Sequence, residues 1–450
     1  MKKVFFNYAV LISTFLLSFC FSSCATVPGD HEPSIKSAQE GKYEKSLEFI
    51  ESKKSKIYGK KSEVLYHLDS GLLQHYNKEW QNSIINLTAA ESKIYDLYTK
   101  SITAEIGSFI LNDNVLDYSG EDYEDIYLNV FNSLNFYHDG KVEDAVVETN
   151  RAVTKITLLS NKHLEELIKA REAAKLENAQ IKSIDFHDSA LVEYLRMLYC
   201  RAIGDYDGAL TNQHMIKDAF LTQKKLYPFE VPESIDEEIS IPKGKARLNV
   251  LAFSGISPIK DEVIIRDYGL INFSFALALP QLRVNEYPFT RIVVRAENVD
   301  TGKTIVQALD LIESLENVAI ETFNLHRDLL VAKAVARSIT KTVATNVGME
   351  VGKELSTSND NSLAAVGLLF QLASIAGNIT NQVTEHADMR ISRYFPARAS
   401  VTGITLEPGM YDVQVDYYGE GKKILHSDVH ENVNLKAGKL NLVESVWLGK

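Results

Sequence analysis

The chain lacks the short motifs that accompany most nucleophilic, metal-dependent and nucleotide-dependent catalysis. Its eleven histidines form no H-E-x-x-H pair, and its three cysteines form no C-x-x-C pair. No G-x-S-x-G, P-loop or G-x-G-x-x-G occurs either, so nucleophile-elbow and nucleotide-cradle sites lack their signatures. The sequence therefore predicts a binding protein that is not an enzyme and that has no cofactor.

Positive charge is also in the minority. The chain carries 48 lysines and arginines against 60 aspartates and glutamates, a formal net charge of −12. No basic patch interleaved with aromatic residues offsets this acidic balance. We therefore expect no nucleic-acid partner and no electrostatic adhesion to anionic lipid.

Two lysines and an apolar run open the chain, from Met1 to about Phe21. This pattern is typical of a secretory signal peptide, and the run is too short and too early for a stable membrane span. The following Phe21-Ser-Ser-Cys24 resembles the lipobox of bacterial lipoproteins. The resemblance implies a lipoprotein signal peptide over residues 1–23 and acylation of Cys24, and an ordinary secreted protein is the alternative.

Acyl chains on Cys24 would hold the protein on a membrane without spanning it. Ala25 follows the cysteine, and by resemblance to the common Gram-negative sorting rule it favours the outer membrane, facing the periplasm, with surface exposure as a further option. The polar residues 24–34 are predicted to be a tether. Removal of the signal peptide takes away two lysines, changes the formal charge from −12 to −14, and leaves Cys200 without a disulfide partner.

A turn motif recurs four times between residues 35 and 225. Each copy has a glycine or its substitute, a spacer, an aromatic or apolar residue, two intervening residues and a small residue. The glycine ends one helix in a left-handed cap, and the small residue lets the next helix cross it closely. The copies are Gly41-Lys-Tyr-Glu-Lys-Ser46, Lys78-Glu-Trp-Gln-Asn-Ser83, Gly140-Lys-Val-Glu-Asp-Ala145 and Gly204-Asp-Tyr-Asp-Gly-Ala209.

This motif resembles the G-x-Y-x-x-A start of the second helix of a tetratricopeptide repeat. The copies are 37, 62 and 64 residues apart, whereas the regular repeat has about 34 residues. The resemblance implies an irregular tetratricopeptide-like (TPR-like) helical repeat domain over residues 35–225. Unrelated helical hairpins that share one turn are the alternative.

An acidic stretch, Ile110–Tyr127, lies between the second and third turns. A calcium loop of the EF-hand type would need an acid or amide where Val115 stands and a glycine where Tyr118 stands, so this site is excluded. The four acids from Glu121 to Asp125 are expected in the first turn of a helix, where they complement its dipole. The stretch is therefore predicted to be a structural connector, with an acidic partner-facing patch as the alternative.

Two segments carry a family resemblance. One is Tyr118-Ser-Gly-Glu-Asp-Tyr-Glu124 with the helix and turn that follow it, and the other is Glu385-His-Ala-Asp-Met-Arg-Ile-Ser-Arg-Tyr-Phe-Pro-Ala397. They resemble a poorly characterised family of bacterial lipoproteins with tetratricopeptide-like repeats, although Met389 stands where a threonine is common. The resemblance implies this architecture for most of the mature chain and brings no established activity.

Prolines and acids at residues 226–245 are typical of a linker, and alternating strand patterns follow it. The predicted fold class is α+β multidomain, with a β-sandwich-like domain over residues 246–450. Its strands come from both sides of a helical insertion at residues 311–390. The predicted strands are 247–254, 262–266, 271–279, 290–299, 304–309, 399–405, 411–417, 423–429 and 441–447.

Within the insertion, Leu363–Ile379 is apolar for about 17 residues but contains Gln371 and Asn378. This length is the lower limit for a membrane span. A buried helical hairpin is favoured, and membrane insertion or a homo-oligomer contact is the alternative.

One constellation could bind zinc. His426, Asp428 and His430 alternate, so that in a strand they share one face, but a polar solvent-facing strand gives the same pattern. These residues are weak metal candidates.

Two classes of function remain. The first is a lipid-anchored envelope scaffold or adaptor that binds an envelope protein or peptide through its helical groove. The second is a ligand-binding lipoprotein that recognises glycan or peptidoglycan through the β domain. Tyrosine is a favoured residue at binding hot spots. The candidates for lining the groove are Tyr66, Tyr76, Tyr123, Tyr127 and Tyr194.

Overall fold

The computed structural model describes residues 31–103, 116–174, 185–267, 275–341 and 386–449. The fold is α+β, 48% helical and 26% strand, with helices in the N-terminal half and mostly strands in the C-terminal half. The predictions for the signal peptide, for Cys24 and for Leu363–Ile379 lie outside the described residues. Within the described ranges, no helix is both long and apolar enough to cross a membrane.

Helices make up the N-terminal half and pack mainly as hairpins. The pairs are α1 with α2, α4 with α5, α6 with α7, and α8 with α9. Their bounds are α1 Glu32–Gln39, α2 Tyr43–Ser52, α3 Lys54–Ile57, α4 Glu63–Tyr76, α5 Trp80–Thr103, α6 Asp122–His138, α7 Val142–Ala174, α8 Ala190–Ile203 and α9 Tyr206–Thr222. The four hairpins together are called the helical array below.

The four predicted turns share one backbone geometry. Gly41, Lys78, Gly140 and Gly204 have φ angles of 72°, 62°, 78° and 84°, all in the left-handed region. After each turn residue, the next N–H donates to the carbonyl five positions earlier, at 2.8–2.9 Å. This is the Schellman cap that glycine favours, and Lys78 adopts it without being a glycine. The predicted helix-ending turns are therefore confirmed.

The small residue of each motif lies at the point where the two helices of a hairpin cross. Ser46, Ser83, Ala145 and Ala209 are all fully buried. The Ser46 hydroxyl donates to the carbonyl of Ser34 at 2.9 Å, and the Ser83 hydroxyl donates to that of Gly71 at 2.7 Å. Larger side chains would separate the helices at these crossings.

The C-terminal half contains a seven-stranded sheet in the order β8-β7-β4-β5-β6-β1-β9 and a separate hairpin, β2-β3. Neighbouring strands of the large sheet are antiparallel except β1 and β9. The bounds are β1 Ala246–Ser254, β2 Ile259–Asp267, β3 Phe275–Arg283, β4 Phe289–Asn298, β5 Thr304–Ser314, β6 Arg398–Leu406, β7 Gly409–Gly419, β8 Ile424–Leu435 and β9 Asn441–Trp447.

The large sheet curls so that β7 lies over β1 and β9. The Tyr417 hydroxyl on β7 lies 3.2 Å from the Phe253 carbonyl on β1 and 2.9 Å from Ser445 Oγ on β9. The pairing of β5 with β6 shifts between Leu311 and Glu313, where the sheet passes from one layer to the other. An apolar cluster fills the space between the layers.

The outer face of the layer formed by β1, β6 and β9 packs against the helical array. Phe131 on α6 lies 5.0 Å, centroid to centroid, from Phe253 on β1, and both belong to one apolar core that continues from helices to strands. Residues 226–245 pack into this core as well, since Tyr227 and Ile235 are buried. A further helix, α10 (Leu315–Lys341), begins directly after β5, so residues 311–314 are strand rather than helix.

Candidate functional site

The five tyrosines proposed as partner contacts lie in the core. None is more than 8% exposed. The Tyr66 hydroxyl donates to Glu51 at 2.7 Å, and the Tyr76 hydroxyl donates to the carbonyl of Tyr394 at 2.8 Å. These rings hold helices to their neighbours and present no open groove, so the expectation that they line a partner-binding surface is corrected. The other three are Tyr123, Tyr127 and Tyr194.

Part of the inner side of the helical array is covered by residues 386–397, here called the closing segment. Its Ser392 N–H donates to Glu124 at 2.6 Å, and its Ser392 hydroxyl donates to Asp69 at 2.6 Å. The Arg390 guanidinium donates to the carbonyls of Lys61 and Leu116 at 3.0 and 3.1 Å. The two segments that carry the family resemblance are thus in direct contact, and this part of the array binds its own chain.

A buried ion pair joins the array to the small hairpin. Glu121, the N-cap of α6, forms a capping box with Glu124, and its carboxylate accepts from Lys260 on β2. Burial raises the pKa of Glu121, but Lys260 and His326 outweigh burial and lower it to about 2. The acids that open α6 do lie in its first turn, as predicted, but the N-cap, Asp122 and Glu124 are buried rather than solvent-facing.

Two further carboxyl groups lie beside this pair. Burial, reinforced by the nearby charge of Glu121, raises the pKa of Glu124 to about 7. Burial also raises the pKa of Asp69 to about 7, although hydroxyl groups of Ser392 and Tyr58 donate to it. Both carboxyls sit under the closing segment, so the cluster is closed and its contacts serve cohesion between elements.

A fourth buried carboxyl group, that of Glu444 on β9, contacts two histidines of the array. Its oxygens lie 2.6 Å from His75 Nε2 and 3.2 Å from His138 Nε2, and Trp80 stacks on His138 with ring centroids 4.3 Å apart. Burial raises the pKa of Glu444, but the two histidines outweigh it and lower the pKa to about 2. The carboxylate therefore ties the second and third hairpins to the sheet.

A hydrogen-bond chain behind Glu444 orients the ring of His75. Because the Ser83 hydroxyl donates to a backbone carbonyl, it accepts from the Asn135 amide at 2.8 Å. The Asn135 carbonyl oxygen then faces His75 Nδ1 at 2.7 Å, which makes Nδ1 a donor. Nε2 of the same ring faces Glu444 at 2.6 Å, so that His75 links α6 to β9.

The weak zinc candidates are on β8, as predicted, but they do not assemble a metal site. His426 stacks on Trp447 at 5.7 Å between ring centroids, whereas His430 pairs with Asp428 at 3.3 Å. Among the residues that the structure describes, no group of three histidine, cysteine or acidic side chains is placed to hold a metal.

The far end of the helical array has an uncovered apolar face. At the start of α2, Tyr43 is covered by Tyr76 of the next hairpin, at 5.3 Å between ring centroids. At the start of α5, Trp80 is covered by His138 in the same way. The equivalent residue of α9, Tyr206, is 64% exposed because no further hairpin of the described chain follows it.

Two other apolar side chains extend this exposed surface. Ile203 ends α8 and is 45% exposed, and Leu210, one turn after Tyr206 on α9, is 40% exposed. The three residues form what is called the array end face below. Sequence reasoning missed this surface, although a signal was present. Tyr206 belongs to the last of the four copies of the turn motif, and no further hairpin of the described helical array follows it.

Searches against protein-family models, curated proteins and solved structures give no match for this chain. The features of this chain that indicate a function are the array end face and the N-terminal lipobox-like sequence.

Proposed function

We propose that this protein is a lipid-anchored scaffold or adaptor of the bacterial cell envelope that binds a helix of a partner protein at its array end face. The observation that carries the proposal is the exposure of Tyr206 and Leu210, at 64% and 40%. In the first two hairpins the equivalent aromatic residue is covered by a helix of the next unit. A partner helix laid on α9 would repeat that contact and bury the same apolar surface.

We regard the helical array as an irregular TPR-like repeat and the curled sheet as a sandwich-like domain that supports it. The four Schellman turns and their buried small residues support the first description. The terminal repeats of repeat proteins need a polar outer face for solubility. An exposed apolar face at the end of the array therefore indicates a binding site for another molecule.

The inner side of the array is a weaker choice for the partner site. The closing segment and β9 lie against it, with hydrogen bonds from Ser392 and an ion pair from Glu444. A peptide would have to displace these buried contacts, which include charged groups that are costly to leave unpaired. The array end face needs no such displacement.

Glycan or peptidoglycan recognition by the β half has less support. Sugar-binding surfaces commonly use exposed aromatic rings, yet the large apolar side chains that the described sheet strands expose are aliphatic. They are Val263, Ile264, Val306, Ile424 and Val429.

The partner site is tested by cross-linked pull-down from intact cells. We expect Tyr206→Glu combined with Leu210→Glu to lose the partner, because two charges enter the apolar contact. Tyr95→Glu is the matched control, since Tyr95 is 69% exposed on α5 outside the array end face. Retention of the partner by the double variant, with an unchanged melting temperature, would refute this site.

The anchor is tested separately by fractionation. We expect Cys24→Ala to release the protein into the soluble fraction, because the acyl chains provide the firm attachment. Membrane retention of the Cys24→Ala protein after removal of its signal peptide and a high-salt wash would contradict lipid anchoring.

A further inference from the structure

A short lysine-rich segment stands out against the acidic balance of the chain. Residues 52–61, Ser-Lys-Lys-Ser-Lys-Ile-Tyr-Gly-Lys-Lys, contain five lysines and no acid, whereas the whole chain has a formal charge of −12. All five lysines are exposed. They are Lys53, Lys54, Lys56, Lys60 and Lys61, and together they are called the basic corner.

The basic corner is held in place by the core beneath it. Ile57 and Tyr58 lie in the middle of the segment and are 1% and 3% exposed. The Tyr58 hydroxyl donates to the buried Asp69 at 2.8 Å. Gly59 then turns the chain with a φ of 59°. The backbone is therefore fixed, and the five side chains project from a defined position instead of from a loose loop.

The acids that flank the basic corner already have partners. Glu51 accepts a hydrogen bond from the Tyr66 hydroxyl at 2.7 Å. Glu63 pairs with Lys93 at 2.7 Å. Glu63 also interacts electrostatically with Lys54, but residues 52–61 still carry five lysines and no acid.

The basic corner also adjoins the first residue that the structure describes. His31 is the first described residue, and its ring packs edge-on against Tyr58, with 5.5 Å between centroids. Six residues lie between it and Cys24, and the seven residue steps from Cys24 to His31 span at most about 25 Å when extended. If Cys24 carries acyl chains, the bilayer surface lies within that reach.

We propose that the basic corner binds the anionic phosphate headgroups of the bilayer that holds the anchor, and so orients the helical array on the membrane. This inference rests on the proposed lipidation of Cys24. It replaces the expectation that an acidic protein avoids anionic lipid, because that expectation averages charge over the whole chain. The acidic remainder is repelled by the same surface, which favours the orientation with the basic corner facing the headgroups.

The test uses the mature chain with Cys24→Ala and vesicles of phosphatidylglycerol and phosphatidylcholine, compared with phosphatidylcholine alone. A lysine beside an anionic surface increases partition roughly fivefold, the equivalent of about 1 kcal/mol. We therefore expect binding to anionic vesicles at low salt, and at least a tenfold loss when all five lysines of the basic corner become glutamine. Chain integrity is checked by an unchanged melting temperature.

A control variant with the same net charge distinguishes the effect of the basic corner on vesicle binding from the effect of the overall charge of the chain. It replaces five exposed lysines in the C-terminal half by glutamine: Lys243, Lys303, Lys422, Lys436 and Lys439. We expect this control to keep its vesicle binding. Equal loss in both variants, or no binding of the parent chain to anionic vesicles, would overturn the proposal.

A further arm distinguishes a bilayer surface from a site for free phosphate. Inorganic phosphate should compete no better than chloride at equal ionic strength, and stronger competition by phosphate would also overturn the proposal. Because the vesicle assay uses a chain without acyl groups, its failure leaves lipid anchoring intact. Failure of the Cys24→Ala fractionation test likewise leaves a positive vesicle result standing.

Discussion

The ion pair between Glu121 and Lys260 gives a quantitative test of how the helical array is joined to the β half. Both side chains are about 95% buried, with exposures of 5% and 4%. Removing Lys260 leaves the buried Glu121 with only His326, 3.7 Å away, and removing Glu121 leaves Lys260 buried without its hydrogen-bonded carboxylate. Breaking a buried pair in this way typically costs about 3–5 kcal/mol. We expect Glu121→Gln and Lys260→Met each to lower the free energy of unfolding by an amount in this range.

The double variant should lose less than the sum of the single variants, because it removes both charges of the pair together. We expect a coupling energy of at least about 2 kcal/mol from denaturant unfolding at pH 7. The adjacent pair Asp261 and Arg283, 2.6 Å apart with side chains 48% and 54% exposed, is the control. Asp261→Asn with Arg283→Met should show a coupling below about 1 kcal/mol.

Additive losses at Glu121 and Lys260, or a coupling no larger than that of the exposed pair, would refute the reasoning. Such a result would mean that water reaches the pair and screens its charges. The joint between the array and the β hairpin would then depend on apolar contacts alone.

Two further predictions concern pH and the helix crossings. Because the pKa values of Asp69 and Glu124 are raised to about 7, the folded chain holds protons there that the unfolded chain releases, and the free energy of unfolding should fall as pH rises from about 4.5 to 7. Urea unfolding at pH 5 and pH 8 checks this, and Glu124→Gln should reduce the loss; equal stability at both pH values would contradict the burial argument. Ala145→Leu should overpack the crossing of α6 and α7 and lower the free energy of unfolding by about 1–3 kcal/mol, whereas Val147→Leu, at a position 48% exposed, should change it by less than about 0.5 kcal/mol. Unchanged unfolding of Ala145→Leu would exclude a close crossing there.

Local sequence determined the turns and most strand positions. Gly140 and Gly204 predicted left-handed caps because glycine adopts positive φ without steric strain, and both have it. Alternating apolar residues predicted the strands, and the final strand coincides with Asn441–Trp447 as expected. The α+β class follows from these patterns, since each depends on residues that are close in the chain.

Burial of the tyrosines and of the acids at the start of α6 was decided by contacts between distant residues. Helical spacing shows which residues share a face, but it does not show what covers that face. Tyr76 was predicted to face a partner and instead donates to Tyr394, 318 residues away in the sequence. Glu121 was expected in the first turn of a helix, and it is the buried N-cap that meets Lys260, 139 residues away.

The same distinction between local sequence and tertiary packing applies to the array end face and to the basic corner. Sequence alone placed Tyr206 in the fourth turn motif and five lysines in residues 52–61. Only the tertiary structure left Tyr206 exposed and brought Tyr58 against His31, the first described residue. Turn conformation and local charge depend on neighbouring residues, so the sequence by itself determined them. Exposure of a side chain and proximity of distant residues depend on the packing of the whole chain, so only the tertiary structure decided them.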